Sequence, residues 1–234
     1  MTKKILILGC SFTSGSYKKH YKENRESWEA PDKLVNNKSW WYYVDYFKDK
    51  DVTVFACPGH GYWSYYQILL FLNEKKLRYD EIWIQETKEP RAFLLDKKNI
   101  EHALLSAQVE INLPPFQIIV LSQEDHLSLS PWNAEKEILP YTIWLNSFFT
   151  DIVKMCSEKI DLLCKEKNVK AYVWSMYDSV MNCNYFTRLP LKYIRLELYN
   201  NNLLTGKTHL GCHQTEEGNK YIANLINENI NTVS

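Results

Sequence analysis

At 234 residues, 45% of them apolar, the chain is long enough to bury a full core and too apolar for a disordered segment. Its 28 basic residues balance its 28 acidic ones, so the composition carries no electrostatic footprint for nucleic acid or an anionic membrane, and no nucleic-acid partner is expected. No apolar run approaches the length of a membrane span.

Lys3 to Leu8 reads as a buried first strand that breaks at once into Gly9-Cys10-Ser11-Phe12-Thr13-Ser14-Gly15. A short apolar run ending in a Gly- and Ser-rich turn places a functional group at the carboxyl edge of an α/β sheet. Two chemistries suit that place: amides that cradle a phosphate, or a hydroxyl that acts as a nucleophile. The basic and apolar residues before Cys10 mimic the end of a lipoprotein signal, but the apolar segment falls short of the about 7–15 residues such a signal needs. They are expected to be strand one of a cytoplasmic protein that starts at Met1.

Ser16 to Ser39 is charged and aromatic, and too long for an ordinary strand-to-helix loop. Val52 to Ala56 forms the second predicted strand, closed by Cys57-Pro58-Gly59-His60-Gly61, and a helix is predicted from about Trp63 to Lys75. Asp80 to Gln85 makes a third strand. Leu94 to Pro140 interrupts the pattern with two proline-containing breaks and a short apolar run at Ile118–Leu121. A long helix over Tyr141–Lys167 and a strand over Lys170–Ser175 follow. The chain closes with Gly211-Cys212-His213-Gln214-Thr215-Glu216-Glu217, then apolar residues at helical spacing from Tyr221 to Ile226. Thr215 suits the N-cap of that helix, with two glutamates in the first turn behind it.

Strand and helix in alternation imply a parallel sheet with right-handed crossovers, in one domain spanning 1–234 with insertions at about 16–39 and 94–140. Long insertions near the carboxyl edge act as lids or substrate walls, or simply pack the surface. Both readings stand for these two.

Six cysteines at irregular spacing contain no C-x-x-C pair, so neither a zinc ribbon nor a disulfide framework is suggested, and buried reduced thiols are expected. His209, Cys212 and His213 lack a fourth ligand at sensible spacing, so no metal site is expected. His60 and His209 lie near enough to the turn residues to face the same edge. His20, His102 and His126 fall in the insertions and are expected in solvent. Aromatic side chains cluster at Trp40-Trp41-Tyr42-Tyr43 and Tyr62-Trp63, where they suit sugar rings or acyl chains, or the core.

A serine after the first strand and a histidine before the last helix resemble the SGNH (GDSL-like) hydrolase superfamily, in a divergent short form similar to members from bacteria and bacterial viruses. The resemblance implies a three-layer αβα sandwich with a mostly parallel, flavodoxin-like sheet. It also implies an acyl-ester hydrolase that needs no cofactor. Four blocks carry it. Gly9-Cys10-Ser11-Phe12 stands where the family has Gly-Asp-Ser and an apolar residue, with Ser11 as nucleophile and Cys10 in place of the aspartate. Gly59 implies a backbone N–H that joins the Ser11 amide in an oxyanion hole, where the lack of a side chain leaves room for a reacting carbonyl. Gln85-Glu86-Thr87-Lys88 replaces Gly-x-Asn-Asp, so the Thr87 hydroxyl stands for the asparagine donor, with Gln85 or Arg91 as alternatives. Losing one such donor costs about 10²–10³ in turnover. His213 is the implied general base, and Leu210 occupies the place of the triad acid, whose loss costs about 10⁴ where the rest is built around it. Asp178, Glu216 or a backbone carbonyl are the alternatives for orienting the imidazole. Arg91, His60, Tyr62 and Trp63 are the candidate substrate contacts, Arg91 for a carboxylate or phosphate.

Three functions follow from these residues. One is a serine esterase acting on an O-acylated sugar, lipid or small metabolite, with an acyltransferase using the same acyl-enzyme as its close variant. Another is a binding protein that keeps the fold and has lost turnover, motivated by Leu210 and Thr87. The last is a flavodoxin-like phosphate binder using Ser11 to Ser16, which gives His213 no role.

Overall fold

The computed structural model describes residues 2–14, 18–22, 25–28, 39–56, 61–86, 92–94, 116–119, 127–129, 142–176, 184–191, 193–204 and 213–233. A six-stranded sheet forms its centre. Strand β1 (Lys4–Gly9) lies between β4 (Asp51–Ala56) and β5 (Glu81–Glu86); β9 (Lys170–Ser175) and the two-residue β10 (Thr187–Arg188) continue one side, and β7 (Phe116–Ile119) closes the other. Every pairing in this sheet is parallel. The central strands read as near-continuous apolar runs because a parallel sheet is covered on both faces. In β1 only Lys4 is exposed, and the five residues after it are buried. Two small antiparallel pairs stand apart from it: β2 (Lys18–Lys22) with β3 (Arg25–Trp28), and β6 (Ala92–Leu94) with β8 (Leu127–Leu129).

Successive strand residues point to opposite faces, and the two faces build separate cores. Ile5 and Ile7 join Val52, Val54, Trp83 and Tyr172 beneath α2 (Trp40–Tyr43) and α6 (Glu216–Val233), where Ile222, Ile226 and Ile230 complete the packing. Leu6 and Leu8 join Ile82, Ile84 and Val173 on the other face, against Tyr65, Ile68 and Leu72 of α3 (Tyr62–Glu74) and Cys156 and Ile160 of α4 (Thr142–Glu166). The result is the expected three-layer α/β arrangement. The remaining helices are α1 (Ser11–Ser14) and α5 (Ile194–Asn200).

Taking β1, β4, β5 and β9 as the first to fourth crossover strands, the order is 2-1-3-4, the flavodoxin-like winding. The chain leaves β1 towards β4, then crosses back to β5 on the other side. That reversal puts the first and last helices on one face and the middle two on the other. It also opens a crevice at the carboxyl ends of β1 and β5, where ligands of such sheets bind.

The first core is aromatic. Trp40, Trp41, Trp83 and Trp174 are all buried to within 1%. Trp83 and Tyr172 are partners in the β5/β9 register and stack at 4.4 Å between ring centroids, while Trp40 meets Trp174 edge-on at 5.0 Å. Trp40 and Trp41 therefore belong to the core and do not line a sugar or acyl site. Segment 94–140 is likewise more than an insertion: Phe116–Ile119 pairs with Val52–Phe55 as an edge strand of the main sheet. No described helix is long and apolar enough to cross a membrane.

Candidate functional site

The chain turns into α1 directly at the end of β1, so the backbone of Ser11 opens a helical turn at the crevice. The turn is held from several sides. The Thr13 N–H donates to the Cys10 carbonyl at 2.9 Å. Below it, Thr13 rests on Gly9, filling the space a side chain would take there. The Trp41 indole donates to the Thr13 carbonyl at 2.7 Å, and the Ser39 hydroxyl to the Phe12 carbonyl at 2.9 Å. From the far end of the chain the Gln214 amide donates to the same Phe12 carbonyl at 2.7 Å and to Asn219 Oδ1 at 2.9 Å.

Gln214 reaches that position because the last loop is itself pinned. It forms an isolated bridge with Leu204, and the Thr215 N–H donates to the Leu203 carbonyl at 2.9 Å. Thr215 caps α6 as its sequence context predicts, its hydroxyl accepting from the Gly218 N–H at 3.1 Å. Gly218 packs so closely that an added Cβ would lie 2.5 Å from the Leu203 carbonyl oxygen. His213, one residue before Gln214, is consequently buried, and its ring lies 4.8 Å from that of Phe12. The buried Arg195 of α5 places its guanidinium 5.2 Å from the centroid of the same ring.

Gln85 is buried beside Thr13 at the end of β5, its Oε1 accepting from the Thr13 hydroxyl at 2.5 Å and facing the Cys10 thiol at 3.7 Å. The next residue, Glu86, is also buried. Its carboxylate accepts from the Tyr62 hydroxyl at 2.5 Å and pairs with Arg188 of β10 at 3.1 and 3.4 Å. Tyr62, a candidate substrate contact in the sequence, thus spends its hydroxyl on Glu86. Trp63 packs partly buried against the second core, and its indole N–H has no hydrogen-bond partner among the described residues.

Gly59, His60, Thr87, Arg91, Asp178, His209 and Leu210 lie outside the described residues, as does the side chain of Ser11. Glu216 accepts from the Tyr43 hydroxyl at 2.8 Å and pairs with Lys220 at 3.0 Å. Cys10, Cys156 and Cys164 are buried and in no disulfide, and burial pushes Cys156 up to about 11. Cys57, Cys183 and Cys212 lie outside the described residues.

Sequence reasoning passed over Thr13, Arg195, Gln214 and the Glu86–Arg188 pair. Gly9 and Thr13, four apart across a strand-to-helix turn, offered a faint signal for the first. A lone arginine early in a seven-residue helix and another in a two-residue strand offer none.

No protein-family model matches the chain, and neither does any curated protein. Among solved structures, a crystal structure of a GDSL-like lipase from Bacteroides thetaiotaomicron VPI-5482 aligns with a TM-score of 0.41 at 12% identity, covering 99% of this chain and 89% of that one. A likeness of that size carries no residue role across.

Proposed function

We propose that the protein is a serine ester hydrolase acting on an O-acyl ester of a sugar, lipid or small metabolite, with no cofactor. The observation that carries this reading is the packing of the His213 ring on Phe12, which brings a histidine of the last loop to the residue beside Ser11 at the sheet's switch point. In the proposed reaction Ser11 Oγ attacks the acyl carbon as His213 takes its proton, and the imidazolium then returns that proton to the departing alkoxide. Water repeats the sequence on the acyl-enzyme and frees the carboxylic acid. The Ser11 and Gly59 amides and the Thr87 hydroxyl serve as oxyanion donors, and His60 and Arg91 as substrate contacts. Tyr62 supports the edge through Glu86. With leucine at position 210, the working unit is a serine–histidine dyad.

A small fluorophosphonate followed by intact-mass measurement tests the reading. A single adduct is expected on the parent, absent from Ser11→Ala and His213→Ala. No adduct on folded protein overturns it in favour of the second reading, a binding protein of the same fold, which Thr87 and Leu210 motivate. An adduct together with acyl transfer to an alcohol acceptor in place of water would make the protein an acyltransferase.

A further inference from the structure

At the edge of the sheet opposite the crevice, the second core ends in a cavity of about 560 Å³, a size that suits a small ligand. Two helix ends build it. α3 and α4 stop in the same way, with Lys76 and Asn168 in the left-handed conformation at φ 57° and 53°. That turn sends the Leu77 N–H back to the Leu72 carbonyl at 3.0 Å, and the Val169 N–H to the Cys164 carbonyl at 2.9 Å. Each cap folds the apolar residue just past its helix back towards the last turn. Leu72 and Leu77 therefore line the cavity from α3, and Cys164 and Val169 from α4, with Ile82 of β5 among them. Leu72, Cys164 and Ile82 are buried, whereas Leu77 is 48% exposed.

The charges around this apolar space do not cancel. Lys76, Arg78 and Lys167 line it, all three exposed, and their side chains form no ion pair or hydrogen bond among the described residues. Glu166 is the one acid among the lining residues. A cation at a helix C-terminus answers the dipole, but each helix end counts for only about half a negative charge. The two ends and Glu166 together leave the three cations in excess by about one positive charge.

We propose that this cavity binds an amphipathic monoanion, an alkyl carboxylate of medium chain length. The chain lies along Leu72, Ile82 and Val169, and the carboxylate meets the cations at the rim, where the Arg78 guanidinium offers a two-pronged match. The apolar floor calls for the chain, and a single excess charge calls for a monoanion over a dianion. The site stands apart from the crevice and does not rest on the reaction proposed there.

The test is a titration of the full chain with decanoate, followed by ¹H–¹⁵N NMR of the backbone amides. Saturable shifts are expected at Leu77, Ile82 and Val169, in the parent and in Ser11→Ala alike. Each methylene added from hexanoate to decanoate is expected to tighten binding about three- to fourfold. The double variant Arg78→Gln, Lys167→Gln, at two exposed positions, is expected to weaken decanoate about five- to tenfold. Decyltrimethylammonium has the same alkyl chain and the opposite charge, and is expected to bind more weakly than decanoate by a similar factor. Should the double variant be unstable, the chain-length series and the ammonium comparison on the parent decide. Equal binding of the two surfactants would overturn the charge class. An affinity that ignores chain length would mean ion pairing at the surface only and overturn the site. Shifts confined to Phe12, Glu86 and Gln214 would place decanoate in the crevice and overturn the cavity as its site, as would the lack of any saturable shift below the onset of micelles. The fluorophosphonate adduct, present or absent, bears on the crevice alone.

Discussion

A methyl group added at Gly9 would lie 2.0 Å from the Thr13 hydroxyl oxygen and 2.3 Å from its Cβ, closer than any packed carbon tolerates. Gly9→Ala must therefore lift α1 off the sheet and break the chain of hydrogen bonds from Trp40 through Thr13 to Gln85. Its expected cost is about 2 kcal/mol or more in urea unfolding, with fluorophosphonate labelling reduced in parallel. A Gly9→Ala variant that matches the parent in both would sink this account of the turn. At this scale the sequence was partly legible. Thr215 could be read as a cap because hydroxyl residues before an apolar periodic run have one common use. Gly9 could be read as a turn glycine, but not as the seat of Thr13, because that contact depends on how α1 settles over β1. Arg195 and Gln85 were opaque in role, since their partners come from strands and loops distant in the chain.

The longer elements were legible for a simple reason: their length gives periodicity room to show. The predicted strands at Val52–Ala56, Asp80–Gln85 and Lys170–Ser175 match the observed ones to within one residue, as do the two middle helices. The short elements were not. Phe116–Ile119 carries the apolar run noticed in the sequence, yet only pairing with β4 makes it part of the sheet. β10 and α5 are too short to show a period. At the opposite end of β5 lies a pair that stiffens the amino edge. The Lys3 ammonium donates to the buried Glu81 carboxylate at 2.5 Å, with Tyr46 also donating at 2.7 Å and the Trp83 indole at 3.3 Å. The bond to Glu81 raises Lys3 above its ordinary 10.5, outweighing the opposite pull of burial, while burial and Glu81 hold the Tyr46 hydroxyl protonated. A raised lysine stabilises the fold fully below its unfolded value and loses that contribution as pH rises through the folded one. Stability is expected to fall above pH 10.5. Lys3→Met is expected to lose about 1–2 kcal/mol at neutral pH, a figure discounted for the partial exposure of Lys3, and to show a shallower alkaline fall. Urea unfolding from pH 7 to 11 measures both, and identical pH profiles would refute the coupling.

In the whole molecule the sheet is common property: alternate residues of β1, β4, β5 and β9 feed the two cores in turn. Damage to one core should therefore weaken the other. Ile226 lies on the buried face of α6 and is fully buried in the first core, and Ile226→Ala is expected to cost about 2–4 kcal/mol. Tryptophan fluorescence, to which the four tryptophans of the first core contribute, and far-UV circular dichroism, which also reports α3 and α4 on the second, should shift together. Two separated transitions would show that the faces unfold independently. The alternation of strand and helix made this three-layer plan legible, because it leaves a parallel sheet as the economical way to bury every apolar face. Of the candidate site, the sequence pointed to the serine turn and the histidine loop, and the structure brings Phe12 of the one against His213 of the other.

Those two ends are tied by the Gln214 amide on the Phe12 carbonyl, a bond across 202 positions. On a ribosome adding about 5–20 residues per second, the turn that bears Ser11 precedes its clamp by roughly 10–40 s. For that interval the nascent turn has its local bonds and those from Ser39 and Trp41, but neither the Gln214 clamp nor the histidine beside it. On the hydrolase reading proposed above, the reaction at this edge awaits the last loop, and the order of synthesis works as a safety catch on the growing chain.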